Sequence, residues 1–157
     1  MTQNPSPEQQ LASLNLILPP PPALGGNYVP TKRVGNMVYL SGAISSGPDG
    51  VITGMAGAGS SIEDGYRAAR AAALNLLAVL KRELGSLDQI AEIVTLNGYV
   101  NAAAGFGDSP AIINGASDLL VEIFGDAGRH VRAALGVSAL PRNALVELQM
   151  SVRVKES

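Results

Sequence analysis

From Ala144 to Lys155 apolar and polar residues alternate almost without a break. Val146, Leu148, Met150, Val152 and Val154 fall on one side, and Glu147, Gln149, Ser151, Arg153 and Lys155 on the other. A period of two is the mark of a strand with one buried face. The same pattern predicts strands elsewhere. Thr31 to Ile44 reads as two short strands around a Gly35-Asn36 hairpin turn, the second setting Val38, Leu40, Gly42 and Ile44 against Tyr39, Ser41 and Ala43. Ile90 to Val100 sets Val94, Leu96, Gly98 and Val100 against Ile93, Thr95, Asn97 and Tyr99. Val131 to Val137 sets Val131, Ala133, Leu135 and Val137 against Arg132, Ala134, Gly136 and Ser138, the latter set assigned to the face away from the helices.

Two segments change to a helical period. Ala73, Leu76, Leu77, Leu80 and Leu84 make one apolar stripe and predict a helix from about Ser61 to Leu84. Ser60 and Glu63 have the spacing of a capping box at its start, and Gly85 ends it. Ile112, Ile113, Ala116, Leu119, Leu120 and Ile123 predict a second helix, with Ser109 as cap, Pro110 at its first position and Gly125 at its end. The order β-β-α-β-α-β-β predicts an α+β fold, a single mixed sheet with two helices packed on one face.

Residues 1–22 read as an N-terminal extension with a proline-rich arm, and residues 23–157 as a single domain. The run Pro19 to Pro22 is a stiff, extended strut. It suits either a docking ligand for an SH3-like partner or an arm lying on its own domain, and the second reading is preferred. Ser45 to Gly59, rich in Gly, Ser and Asp, is expected to be loop.

Composition narrows the function classes. A net charge of −2 with scattered basic residues gives no electrostatic case for nucleic acid. The absence of cysteine removes disulfides, thiolate metal sites and a cysteine nucleophile, and fits a reducing cytosol. A single histidine cannot build a histidine-rich metal site. No basic segment followed by an apolar run marks a secretory signal, and no apolar run would span a bilayer, so a cytoplasmic protein is expected.

The candidate chemistry centres on Arg132. Ala134 and Gly136 share its side of the strand and leave space in front of the guanidinium, which suits a carboxylate held by two hydrogen bonds. A surface or interface arginine paired with an acid fits the same pattern. Glu147 and Gln149 could hold a water or a polar ligand atom, or could be an ordinary solvated strand face. Ser41 and Tyr28 offer hydroxyls that serve structure equally well. His130 is read as a turn or surface residue rather than a general base.

Two separated motifs resemble the YjgF-like Rid family, the reactive intermediate deaminases also known through endoribonuclease L-PSP. One is Gly35-Asn36-Met37-Val38-Tyr39-Leu40-Ser41-Gly42. The other runs from Arg132 through Val137-Ser138-Ala139-Leu140-Pro141 to Val146-Glu147-Leu148. The likeness covers about Gly25 to Val154, and the N-terminal extension resembles a longer-chain branch. The resemblance implies a chorismate-mutase-like fold, a homotrimer with ligand pockets between subunits, and no cofactor. It implies that Arg132 binds a substrate carboxylate and that Tyr28, Ser41 and Asn114 line or approach the pocket. It also implies hydrolysis of 2-imino and enamino acids to 2-keto acids and ammonia.

Two positions depart from the family pattern. Gln149 stands where the better-known deaminases carry Glu, and Ala134 stands where Cys is frequent. An amide orients water but cannot accept its proton, and loss of a general acid–base group costs ~10²–10⁴-fold in rate. Two readings follow. In one, the chain is a deaminase with Arg132 as anchor and Gln149 or Glu147 orienting water. In the other, it is a non-catalytic binder of a keto acid or similar small carboxylate. A ribonuclease role is disfavoured by the acidic charge balance and the single histidine.

Overall fold

The computed structural model describes residues 3–156, and its sheet is built outward from the most regular strand of the sequence. That strand, β8 (Val146–Val154), lies in the middle of a six-stranded sheet. On one side it pairs antiparallel with β2 (Met37–Leu40) and the two-residue β3 (Ala43–Ile44), and β1 (Thr31–Val34) closes that edge. On the other side it pairs antiparallel with β6 (Ile90–Asn101), which pairs in parallel with the edge strand β7 (Val131–Val137). The segment expected to be loop also holds a small hairpin, β4 (Ser46–Gly47) and β5 (Gly50–Val51).

Two long helices cover one face, as the periodicity predicts: α2 (Ile62–Leu84) and α3 (Ser109–Phe124). Leu76, Leu80, Ile112, Ile113, Leu119 and Leu120 are buried there against Leu96, Leu148 and Val152. Each such side chain stabilises the fold by about 2 kcal/mol through removal from water. The helices approach closely because Gly115 faces backbone: a Cβ there would collide with the Tyr66 carbonyl of α2.

Several local expectations shift by a residue. The α2 capping box uses Ser61 and Asp64 rather than Ser60 and Glu63, with Asp64 N–H donating to Ser61 Oγ at 3.0 Å. The α3 cap position is Asp108, so Ser109 is the first helical residue and Pro110 the second. In β6 the alternation slips at irregularities near Glu92 and Val94, which turn Ile93 rather than Val94 into the core.

The N-terminal segment forms α1 (Pro7–Ser13), capped by Ser6. Leu11 is buried in the main core. The Glu8 carboxylate accepts from Leu87 N–H at 2.9 Å and pairs with Lys81 at 3.0 Å, while Glu8 N–H donates to Asp88 at 2.9 Å. The proline run continues along the C-terminal part of α2, where Pro19 and Pro21 border a groove with Ala78 and Arg82.

One expectation is overturned. Arg132 does not lie on the face away from the helices. It stands level with the buried Leu96 and reaches into α3. Its alternates Val131 and Leu135 point to the open face, where they are 69% and 53% exposed in the protomer. Alternation gives the parity of a strand but not which parity faces the helices. At β7 the helix side is covered by polar and small positions of α3, so the usual hydrophobic-in rule gives the wrong side.

Candidate functional site

Arg132 is held by one stripe of α3. Pro110, Asn114 and Ser117 recur at four and three residues and so share a helix face. Arg132 Nη1 donates to Asn114 Oδ1 at 2.8 Å and to Ser117 Oγ at 3.1 Å, and Nη2 donates to the Pro110 carbonyl at 3.4 Å. Both Nη1 protons are thereby used. Nε–H and one Nη2 proton have no acceptor among the described residues, which leaves the Nε side of the planar group open. Nε and Nη2 together have the spacing of the two oxygens of a carboxylate. No acidic side chain among the described residues pairs with Arg132, which removes the acid-paired reading within the protomer.

Ala134 follows on the same face, level with Gly98. Gly98 is itself packed under α3: a Cβ there would sit 2.6 Å from Ile113. Gly136 continues the strip toward Ser109 and Ala102. Arg132, Asn114 and Ala134 therefore form one group where β7 meets α3.

The remaining candidates form a second group on another part of the molecule. Tyr28, Ser41, Glu147 and Gln149 line an open cleft of about 860 Å³ together with Gly42 and Arg142. Ser41 Oγ donates to the Val29 carbonyl at 2.6 Å, and Tyr28 Oη accepts from Gly25 N–H at 3.1 Å. Both hydroxyls are thus partly committed to folding the segment before β1. Glu147 packs against Gly42, where a Cβ would lie 2.9 Å from Oε1, so the glycine makes room for the carboxylate. Partial burial pushes the Glu147 carboxyl above the usual carboxylate range. Gln149 is exposed on the same face.

Sequence reasoning missed two residues behind Arg132. Ser117 lies one helical turn beyond Asn114, and that spacing is the sequence signal that points to it. His130, read as a turn or surface residue, is half-buried. Its Nδ1 is 2.7 Å from the Gly128 carbonyl and its Nε2 is 2.9 Å from Ser117 Oγ. Burial first, and the Arg132 cation after it, lower the His130 pKa, with the Gly128 hydrogen bond acting the other way. Among the described residues no cluster of His, Asp or Glu could hold a metal ion, and no helix is long and apolar enough to cross a membrane.

Comparison with known proteins gives consistent relatives. Residues 8–153 match the model of the family described as "YjgF/chorismate mutase-like, putative endoribonuclease". Protein TCP17 of Trypanosoma cruzi is 37% identical over 146 residues, covering 92% of this chain and 91% of that protein. A structure from Shewanella oneidensis MR-1 superposes with a TM-score of 0.91 at 36% identity, covering 96% of this chain and all of the other. The protein Atu1372 of Agrobacterium tumefaciens, of unknown function, superposes with a TM-score of 0.86 at 36% identity, covering 95% and 94% of the two chains.

Proposed function

This chain belongs to the YjgF/chorismate mutase-like family, and from that premise we propose that it binds small 2-imino or 2-keto carboxylates through Arg132 and hydrolyses the imines. The observation that carries this reading is the state of Arg132. Its guanidinium is anchored by three contacts to α3, while Nε–H and one Nη2 proton have no acceptor among the described residues. An exposed arginine can leave its free donors to water, so what marks Arg132 is that three contacts to α3 hold the group in place while donors remain for a ligand, whereas Arg33, Arg129 and Arg153 each make a single side-chain hydrogen bond among the described residues.

The hydrolytic residues belong to the other group. In imine hydrolysis, water adds to the C=N carbon, its two protons pass in turn to the nitrogen, and the C–N bond breaks to release ammonia as the remaining oxygen forms the C=O. Glu147 is the titratable carboxylate of the Tyr28–Ser41 cleft, and its raised pKa brings it closer to the working range of a general base. Gln149 can orient the water but not take its proton.

A complete site on this reading needs two copies. Arg132 is level with Leu96, and Gln149 is level with the adjacent Asn97, so the two groups open on opposite faces of one sheet. A cyclic homotrimer would bring the β7–α3 junction of one protomer to the cleft of the next. Such packing would also cover the exposed Val131 and Leu135.

The test is release of ammonia and keto acid from freshly generated 2-imino acids of graded size, comparing wild type with Arg132→Ala. Acceleration by wild type and its loss in the variant support the enzyme. Gln149 favours a second reading, a binder of keto acids without turnover. That reading gains if wild type hydrolyses no imine yet still binds pyruvate in an Arg132-dependent way.

A further inference from the structure

Behind Arg132 runs a chain of polar groups that ligand contact does not require. The Gly128 carbonyl can only accept, so His130 Nδ1 carries the proton in the 2.7 Å contact. In the neutral ring Nε2 is then an acceptor, and Ser117 Oγ–H donates to it across 2.9 Å. With its proton committed, Ser117 Oγ offers a lone pair to Arg132 Nη1–H at 3.1 Å. Every donor has one acceptor, and the polarity runs one way from the guanidinium to the Gly128 carbonyl.

We propose that Ser117 and His130 are positioning residues, which fix the rotamer of Arg132 so that its Nε–Nη2 edge faces the carboxylate. The inference rests on the carboxylate reading of Arg132 given above. Arg132 lies on an edge strand and is exposed, so its long side chain would otherwise sample several rotamers. Ordering it in advance lowers the cost of binding. His130 sets the direction of the chain, because a proton on Nε2 would turn Ser117 into the acceptor of two donors. The surroundings favour the neutral ring. Arg132 on β7 faces it, Asp126 in the preceding turn pairs with Arg129, and Asp118 of α3 takes the Tyr66 hydroxyl at 2.7 Å.

The experiment combines side-chain NMR of the full chain with pyruvate titration. In wild type the Arg132 Nε–H should be as ordered as the backbone, and His130 should be the Nδ1–H tautomer. Ser117→Ala should release the guanidinium and weaken pyruvate binding by up to about tenfold, the cost of ordering one long side chain on binding. Ser117→Thr, which keeps the hydroxyl, should restore both. An Arg132 equally ordered in folded Ser117→Ala overturns the proposal, as does a His130 protonated on Nε2 in wild type. The tautomer needs no variant and so decides even if Ser117→Ala fails to fold. If wild type binds no pyruvate but Arg132 loses its order in Ser117→Ala, the carboxylate reading fails and the positioning of Arg132 by Ser117 stands.

Discussion

Arg132 and Gln149 lie against neighbouring residues of the same strand, Leu96 and Asn97, and therefore point to opposite faces of the sheet. Two residues assigned to one chemistry thus cannot meet within one protomer.

Complementation between variants follows from this separation. Arg132→Ala and Glu147→Ala should each be inactive alone. Co-expressed and randomly assembled, about a quarter of the clefts would join two unaltered halves in a cyclic oligomer. Imine hydrolysis should return to about that fraction of wild type. Two variants that stay inactive together, or a monomer by light scattering, would rule out a shared cleft.

Removing the guanidinium should act on ligand affinity rather than on the fold. Arg132 is exposed and buries no apolar surface in the core cluster. Arg132→Ala should weaken keto-acid binding by roughly 100-fold, the loss of a charge-assisted pair of hydrogen bonds worth about 3 kcal/mol. Calorimetric titration measures the affinity, and thermal melting should show little change.

Glu147 predicts a pH dependence of stability with a definite sign. Burial raises its folded-state pKa above the ordinary 4.5. The folded state then binds the proton more tightly than the unfolded state, so Glu147 favours folding at low pH. That contribution is lost as pH rises through the folded pKa. Glu147→Gln should therefore melt higher than wild type at neutral pH, with the advantage vanishing on acidification below the unfolded value. A melting difference independent of pH would place the effect in packing instead.

The N-terminal helix should contribute to stability. Leu11 is 4% exposed and belongs to the main cluster. Leu11→Ala should cost about 2–3 kcal/mol, as for other buried leucines cut to alanine. Urea unfolding would read this as a lower midpoint at unchanged slope. A loss of only a few tenths would mean that α1 is a loosely attached arm.

The sequence by itself determined the main strands, the two long helices and their order. Strand and helix periods are local properties, so β8, α2 and α3 were legible from Val146 to Val154, from Ala73 to Leu84 and from Ile112 to Ile123. The helix α1 was not, because a seven-residue segment with one buried leucine has too few turns to show a period. The irregularity at Val94 was hidden for a related reason: a single extra residue shifts alternation without changing composition.

Only the tertiary structure decided how the candidate residues are grouped. Arg132 was legible as a residue with space before it, but its side of the sheet depends on what α3 lays over β7. The apolar Val131 and Leu135 point outward there, against the pattern of a lone domain. Ser117 and His130 stand 13 residues apart across a turn, and only the docking of α3 on the edge strand joins them to Arg132. Periodicity assigns each side chain a face within its own element. Which faces meet is fixed by packing among elements distant in sequence, and the contacts around Arg132 are of that kind.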